Sequence, residues 1–254
     1  MEWDASHRPW PVPAKPHIMR MTWSDLLFAH WPVNAAVLRA KIPPRLELDL
    51  FDDAAWLGIV PFRMSGTAPR GVPALPGVSA FPELNVRTYV TAEGKPGVWF
   101  FSLDAGSALA VWGARTFFHL PYFRARMRCA ALASPDRIGA SGGVQYESRR
   151  VHAGAPPAEF GAEYRPLAPP APAQVGTLDY FLTERYCLYA ASARGALFRC
   201  NILHAPWPLQ RAEARITRNT MAQAHGIALP DAPPLLHFAR ELEVRAWWLE
   251  EVKQ

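Results

Sequence analysis

The stretch Phe81-Pro-Glu-Leu-Asn-Val-Arg-Thr-Tyr-Val90 decides how this chain is read. From Glu83 onward every second side chain is polar or amphipathic: Glu83, Asn85, Arg87 and Tyr89. The set between them, Leu84, Val86, Thr88 and Val90, is mainly apolar and β-branched. Alternation with period two places the two sets on opposite faces of a sheet. A carboxylate, an amide, a guanidinium and a phenol then follow one another about 6.6 Å apart. That series suits the wall of a polar cavity. A solvent-facing strand of mixed polarity is the alternative the same residues leave open.

Working outward, Glu93-Gly94-Lys95-Pro96-Gly97 is a turn and Val98–Leu103 its return strand, a β-hairpin. Upstream, Asn34 caps a short helix through Lys41, which Pro43-Pro44 stops. Leu46–Leu50 alternates, Asp52-Asp53 turns, Ala55–Met64 is a strand, and a Gly/Pro-rich loop covers Ser65–Pro76. Downstream, Ser107 caps a helix from Ala108 to about His119, and Arg126–Leu132 and Gly143–Val151 are strands. Glu163-Tyr164-Arg165 forms a short strand inside the proline-rich stretch 153–176. Thr177 caps a short helix leading to Arg185, and Tyr186–Ala191 pairs with Ala196–His204 across Ser192–Gly195. Thr217–His225, closed by Gly226, reads as a last helix, and Leu242, Val244, Ala246 and Trp248 alternate along a closing strand. Many strands, few helices and frequent turns predict a mainly β (α+β) fold, antiparallel and closed or nearly closed into a barrel.

With 254 residues, half of them apolar, the chain can bury one large core. Residues 21–254 are expected to form a single domain behind an N-terminal tail, residues 1–20. No apolar run is long enough to cross a membrane as a helix, and Met1–Arg20 lacks the apolar segment of a secretory signal. The expected compartment is the cytoplasm. Cys129, Cys187 and Cys200 show no paired spacing and read as buried thiols. The net charge is +5, but the arginines are scattered, so no nucleic-acid partner is expected. The wealth of Trp and Phe leaves room for a homodimer interface.

Three further clusters carry candidate chemistry. In Gly113-Ala-Arg-Thr-Phe-Phe-His-Leu-Pro-Tyr122, a helix would bring Arg115, His119 and Tyr122 to one face. Thr183-Glu184-Arg185-Tyr186 and His204-Ala-Pro-Trp207 add Arg185 and a strand-end histidine. Glu83, Tyr122 and His119 are the candidate catalytic groups; Asn85, Arg87, Tyr89, Arg115, Arg185 and His204 are the candidate ligand-binding groups. Glu83 is expected to have its pKa raised by burial and restrained by Arg87 or Arg115. No metal is expected, since His119, His204 and Glu83 lack a metal-ligand spacing. No cofactor is expected either: there is no phosphate-binding loop, no dinucleotide fingerprint and no nucleophile elbow, and Ser141-Gly-Gly is too generic to mark a nucleophile.

Taken together, Leu38–Asp49, Ala55–Met64, the Pro82–Tyr89 strand, Leu120-Pro-Tyr122 and Phe181–Tyr186 resemble the YqjF-like family of bacterial proteins of uncharacterised function. More remotely the chain is similar to acetoacetate decarboxylases. That resemblance implies a β-barrel or cone around a pocket, with the family's active-site glutamate falling on Glu83. Its Schiff-base lysine and the neighbouring lysine would fall on Tyr122 and Phe123, which supply no amine. The four lysines, Lys15, Lys41, Lys95 and Lys253, lie elsewhere. Three expectations follow: an acid/base enzyme on a small anionic or carbonyl compound without an imine, a non-catalytic metabolite-binding module, or a structural protein with a buried polar network.

Overall fold

The computed structural model describes residues 4–75, 78–132 and 142–253. Its elements in chain order are β1 (Met19–Val33), α1 (Ala35–Arg39), β2 (Glu47–Leu48), β3 (Ala55–Pro69), β4 (Phe81–Ala92), β5 (Lys95–Ala105), α2 (Ala108–Phe118), β6 (Tyr122–Ala131), β7 (Val144–Arg150), β8 (Glu159–Pro166), α3 (Leu178–Thr183), β9 (Cys187–Ala191), β10 (Leu197–Leu203), β11 (Gln210–Asn219) and β12 (Leu235–Glu251). Pairing is antiparallel except where β5 runs parallel to β6 and to β9. The strands form one sheet, and the pairings β4–β5 and β10–β12 close it on itself. Two rings result, sharing the wall β5-β4-β3-β1-β12; β9 and β10 complete one, and β6, β7, β8 and β11 complete the other. The fold is mainly β and closed, as the sequence predicts.

A wall shared by two rings must be buried on both faces. In β1, Leu26 and Phe28 pack with Val60 and Phe62 of β3 in the first ring. Leu27 and Ala29 pack instead with Leu57, Ile59, Tyr146 and Phe160 in the second. β4 keeps its alternation: Leu84 and Val86 enter the second core, and Glu83, Asn85 and Arg87 face the first ring. β5 does not, because a register shift opposite Val86 and Arg87 passes over Phe101. Val98, Phe100, Leu103 and Ala105 can then all join the first core.

Local chemistry fixes the ends of the elements. Glu93 and Gly94 both have positive φ, 52° and 67°. They form the two-residue hairpin loop whose twist suits antiparallel strands, so Lys95, Pro96 and Gly97 already belong to β5. Asn34, Ser107 and Thr177 each accept a hydrogen bond from a first-turn amide, as expected of caps. Gly97 is required by the parallel β5–β9 contact: a Cβ there would lie 2.6 Å from Cys187 Sγ and 2.7 Å from its carbonyl oxygen. Gly97→Ala should therefore destabilise the protein by about 1–3 kcal/mol, read from denaturant midpoints.

Several expectations are corrected. The helix over 108–119 stops at Phe118, and His119 caps it in the left-handed region with φ 53°. Tyr122 begins β6, four residues ahead of the predicted strand, so Arg115, His119 and Tyr122 do not share a helix face. Thr217–His225 is not a helix: β11 runs to Asn219, Thr217 Oγ1 donates across the ladder to the Gly161 carbonyl, and only a 3₁₀ turn, Gln223–His225, remains. β1 and the first half of β12 were not predicted, and β2 is only two residues long. Pro76, Ser141 and Met1–Trp3 lie outside the described residues. The segment before β1 is anchored where it is described: Arg8 is buried, and Trp247 Nε1 donates to the Lys15 carbonyl at 2.6 Å. All three cysteines are free thiols, with Cys187 and Cys200 buried and Cys129 half-buried. Among the described residues no helix is long and apolar enough to cross a membrane.

Candidate functional site

The first ring encloses a cavity of about 490 Å³. Most of its wall is hydrocarbon and aromatic, as in Trp23, Leu26, Phe62, Phe100, Leu103 and Trp207. Its charged and titratable lining is Glu83, Arg87, Tyr122, Arg185, His204 and the Cys200 thiol, with the Asn85 amide between the first two. Glu83, Asn85 and Arg87 of β4 therefore form part of a cavity wall, without Tyr89.

Glu83 is 2% exposed. Tyr122, at the start of β6, donates its hydroxyl to Glu83 Oε2 at 2.9 Å. Burial pushes the Glu83 carboxyl up to about 8; hydrogen bonds from Tyr122 and Asn85 oppose the rise, and the Asp104 charge adds to it. The restraint thus comes from Tyr122 and Asn85, not from Arg87 or Arg115. At neutral pH Glu83 is mainly a carboxylic acid, held at Oε2 by the Tyr122 hydroxyl. Burial and the Glu83 carboxylate hold the Tyr122 phenol well above its usual range, so it stays a donor. The Glu83 backbone is fixed too, its carbonyl accepting from the Tyr146 hydroxyl at 2.6 Å.

Arg87 is 9% exposed and donates through Nη2 to the Leu182 carbonyl at 3.2 Å. Its guanidinium lies 5.4 Å from the Phe28 ring and 5.8 Å from the Tyr89 ring, and Nε has no hydrogen-bond partner. Among the described residues no carboxylate lies within ion-pair distance of it, Glu83 included. A guanidinium keeps its charge in any such setting. Asn85 Oδ1 beside it is also buried without a partner.

The remaining candidates separate. Arg185 lines the cavity, but its charge is balanced by Asp49 at 2.5 Å, and Nε donates to the Phe181 carbonyl. His204 lines it as well; its ring stacks on Tyr186 at 4.7 Å, and burial lowers its pKa to about 4, so it is neutral. Tyr89 is fully buried behind the wall, donating to the Leu182 carbonyl at 2.8 Å with His30 Nε2 2.6 Å from its hydroxyl. Arg115 is exposed and donates to the Tyr122 carbonyl at 2.8 Å, so it positions Tyr122 from outside. His119 is exposed against Phe198 and does not reach Glu83. The trio His119, His204 and Glu83 therefore does not converge. None of the four lysines lines the cavity.

Two features of the site were not predicted. Trp23 and Trp207 stack at 5.9 Å in the cavity wall, and only the aromatic turn after His204 hinted at one of them. Behind Glu83, Asp104 and Arg150 form a buried ion pair, with Arg150 Nη2 2.6 Å from Asp104 Oδ1. Leu103-Asp104 is visible in the sequence, but nothing there identifies Arg150 of β7 as its partner.

Comparison with known proteins places this architecture. Among solved structures, the chain is similar to the enduracididine biosynthesis enzyme MppR, with a TM-score of 0.64 at 11% identity over 94% of this chain and 90% of that one. It is similar as well to acetoacetate decarboxylase from Legionella pneumophila, with a TM-score of 0.62 at 12% identity over 100% and 98%. At such identities the likeness shows the fold, which is acetoacetate decarboxylase-like. In sequence it is 49% identical over 240 residues to the uncharacterized protein YqjF of Bacillus subtilis (strain 168), covering 94% of this chain and 95% of that protein. Residues 20–243 match DUF2071, described as an uncharacterized conserved protein, and the chain belongs to that family.

Proposed function

We propose that the protein is an acid/base enzyme acting on a carbonyl-bearing carboxylate, isomerase-like or lyase-like, without an imine intermediate. The observation that carries this reading is Arg87: a buried cation facing a cavity, with no carboxylate of the described residues within ion-pair distance. A substrate carboxylate would supply the missing counter-charge in a charge-assisted pair. It would do so on the strand that carries Glu83, about 13 Å away along the backbone. A substrate with its carboxylate on Arg87 and its carbonyl toward Glu83 would span Asn85, which lines the cavity between them.

Glu83 is the proton carrier in this reading. A group titrating near 8 gives a proton to an enolate carbon, or takes one from the carbon next to a carbonyl, at comparable cost near neutral pH. Tyr122 holds Oε2 and so fixes the carboxyl group in the cavity wall. An imine route would need an amine in the cavity, and no lysine lines it. In agreement with the substrate class, a structure of MppR, a protein of the same fold, has been described in complex with pyruvate, a 2-oxo carboxylate.

The test is solvent deuterium exchange at the α-carbon of 2-oxo and 3-oxo carboxylates, followed by NMR. Glu83→Gln should slow exchange at least about 100-fold, and Arg87→Met should raise the concentration needed for saturation. Exchange at the wild-type rate in Glu83→Gln would refute the assignment. Saturable binding with no exchange by the wild type would leave a binding module.

A further inference from the structure

We infer that the ligand is amphipathic: a carboxylic acid whose hydrocarbon tail runs from Arg87 along the apolar wall to a mouth between α2 and residues 72–75, which follow β3. This extends the reading of Arg87 given above and depends on it for the head group. The tail is carried by separate observations.

The first is the balance of the wall. Charge is gathered around Glu83, Arg87 and Arg185, while most of the remaining lining is hydrocarbon and aromatic, with a few hydroxyls between. A three- or four-carbon acid on Arg87 would leave most of the cavity of about 490 Å³ facing apolar surface. That space is in the range that encloses compounds of drug size. A compound polar throughout would find few partners along the wall, such as the Thr67 hydroxyl and the Trp23 and Trp207 indole N–H groups, at a desolvation cost. A hydrocarbon tail matches it.

The second is the mouth. Leu109, Trp112 and Phe117 of α2 and Val72 and Leu75 of the facing loop all line the cavity. They are nonetheless 58%, 58%, 51%, 45% and 57% exposed. Leu109, Trp112 and Phe117 project from the helix toward the opening while Val111 turns into the core. Large apolar side chains held together in water at the entrance of a mainly apolar cavity mark a binding surface. A tail emerging there would cover them.

Binding of straight-chain carboxylates from acetate to dodecanoate to the full-length protein, measured by calorimetry, tests the inference. Kd should fall about fourfold per added methylene, the equivalent of about 0.8 kcal/mol, and level off once the tail reaches the mouth. Trp112→Ala should weaken decanoate by more than about fivefold and leave butanoate unchanged. The side chain is exposed, so folding is spared. Arg87→Met should weaken every length, and the alcohol of matching length should bind worse than the acid. Affinity independent of chain length, or a rim variant that affects butanoate and decanoate alike, would overturn the inference. A change in oligomeric state in Trp112→Ala without any length dependence would overturn it too, and assign the rim to a second copy of the chain. The two readings fail separately. Chain-length dependence without exchange chemistry retains the tail and removes the acid/base role. Exchange of short oxo acids with no length dependence does the opposite.

Discussion

Between pH 5 and pH 9 the wild-type protein should lose stability that the Glu83→Gln variant keeps. In the unfolded chain the Glu83 carboxyl ionises at its ordinary value of 4.5; in the fold burial moves this to about 8. The native state therefore holds a proton that the unfolded state has released. The contribution is fully present below pH 4.5, declines as pH rises, and is gone above about 8. A separation of this size corresponds to roughly 5 kcal/mol at its limit. Gln at this position is neutral at every pH, and its carbonyl can still accept from Tyr122. The two proteins should be nearly equal at pH 5, and the variant should be the more stable at pH 9. Two histidines pull the other way: His204, buried, and His225, half-buried, titrate near 4 in the fold, so they withdraw stability as pH falls below about 6.5. They are common to both proteins and cancel in the difference. Denaturant titrations at a series of pH values measure that difference, and a flat difference from pH 5 to pH 9 would show that Glu83 ionises as a solvated carboxylate does.

That prediction rests on the part of the structure that could be read most directly from the sequence. β4 separates two environments, the charged side of the cavity and an apolar core, so its two faces differ and period two survives. The hairpin after it was legible because Glu93-Gly94 dictates the turn. β1 was not legible, for the converse reason. It lies between two apolar cores, its residues Leu26 to Ala29 are buried on both faces, and the register shift between Ser24 and Ala29 breaks any remaining alternation. The same bulge logic hid which residues of β5 share a face. Helical spacing failed between Arg115 and Tyr122 because the left-handed cap at His119 turned the chain before Tyr122. Tyr122 reaches Glu83 from a neighbouring strand, by a tertiary contact that no local period encodes. Arg87 and Glu83 could be placed on one face from sequence. That Arg185 and Tyr89 are already satisfied, and Arg87 is not, depends on Asp49 and Leu182, which are remote in the chain.

Replacing Asp104 by alanine should cost about 3–5 kcal/mol. The pair it makes with Arg150 is sealed from water, with side-chain exposures of 0% and 1%. Arg150 Nε lies 2.9 Å from Asp104 Oδ2 and Nη2 lies 2.6 Å from Oδ1, a two-pronged contact. The guanidinium also lies over the Phe123 ring at 4.2 Å. Burial raises the Asp104 carboxyl and the Arg150 guanidinium opposes the rise. The alanine variant strands a cation in the interior, and that uncompensated charge, rather than a lost attraction, accounts for the cost. In a chain of this size the melting temperature should fall by roughly 2–4 °C for each kcal/mol. The double variant Asp104→Leu with Arg150→Met removes both charges and should recover most of the loss. A loss below about 1 kcal/mol for Asp104→Ala would mean the pair is solvated in solution. The consequence extends to the cavity. Asp104 precedes Ala105, the residue opposite Glu83 in the β4–β5 register, and its charge is among the causes that raise the Glu83 carboxyl. In the double variant, at restored stability, Glu83 should titrate lower than in the wild type. The ion pair behind the sheet then helps to keep a proton on the acid in front of it.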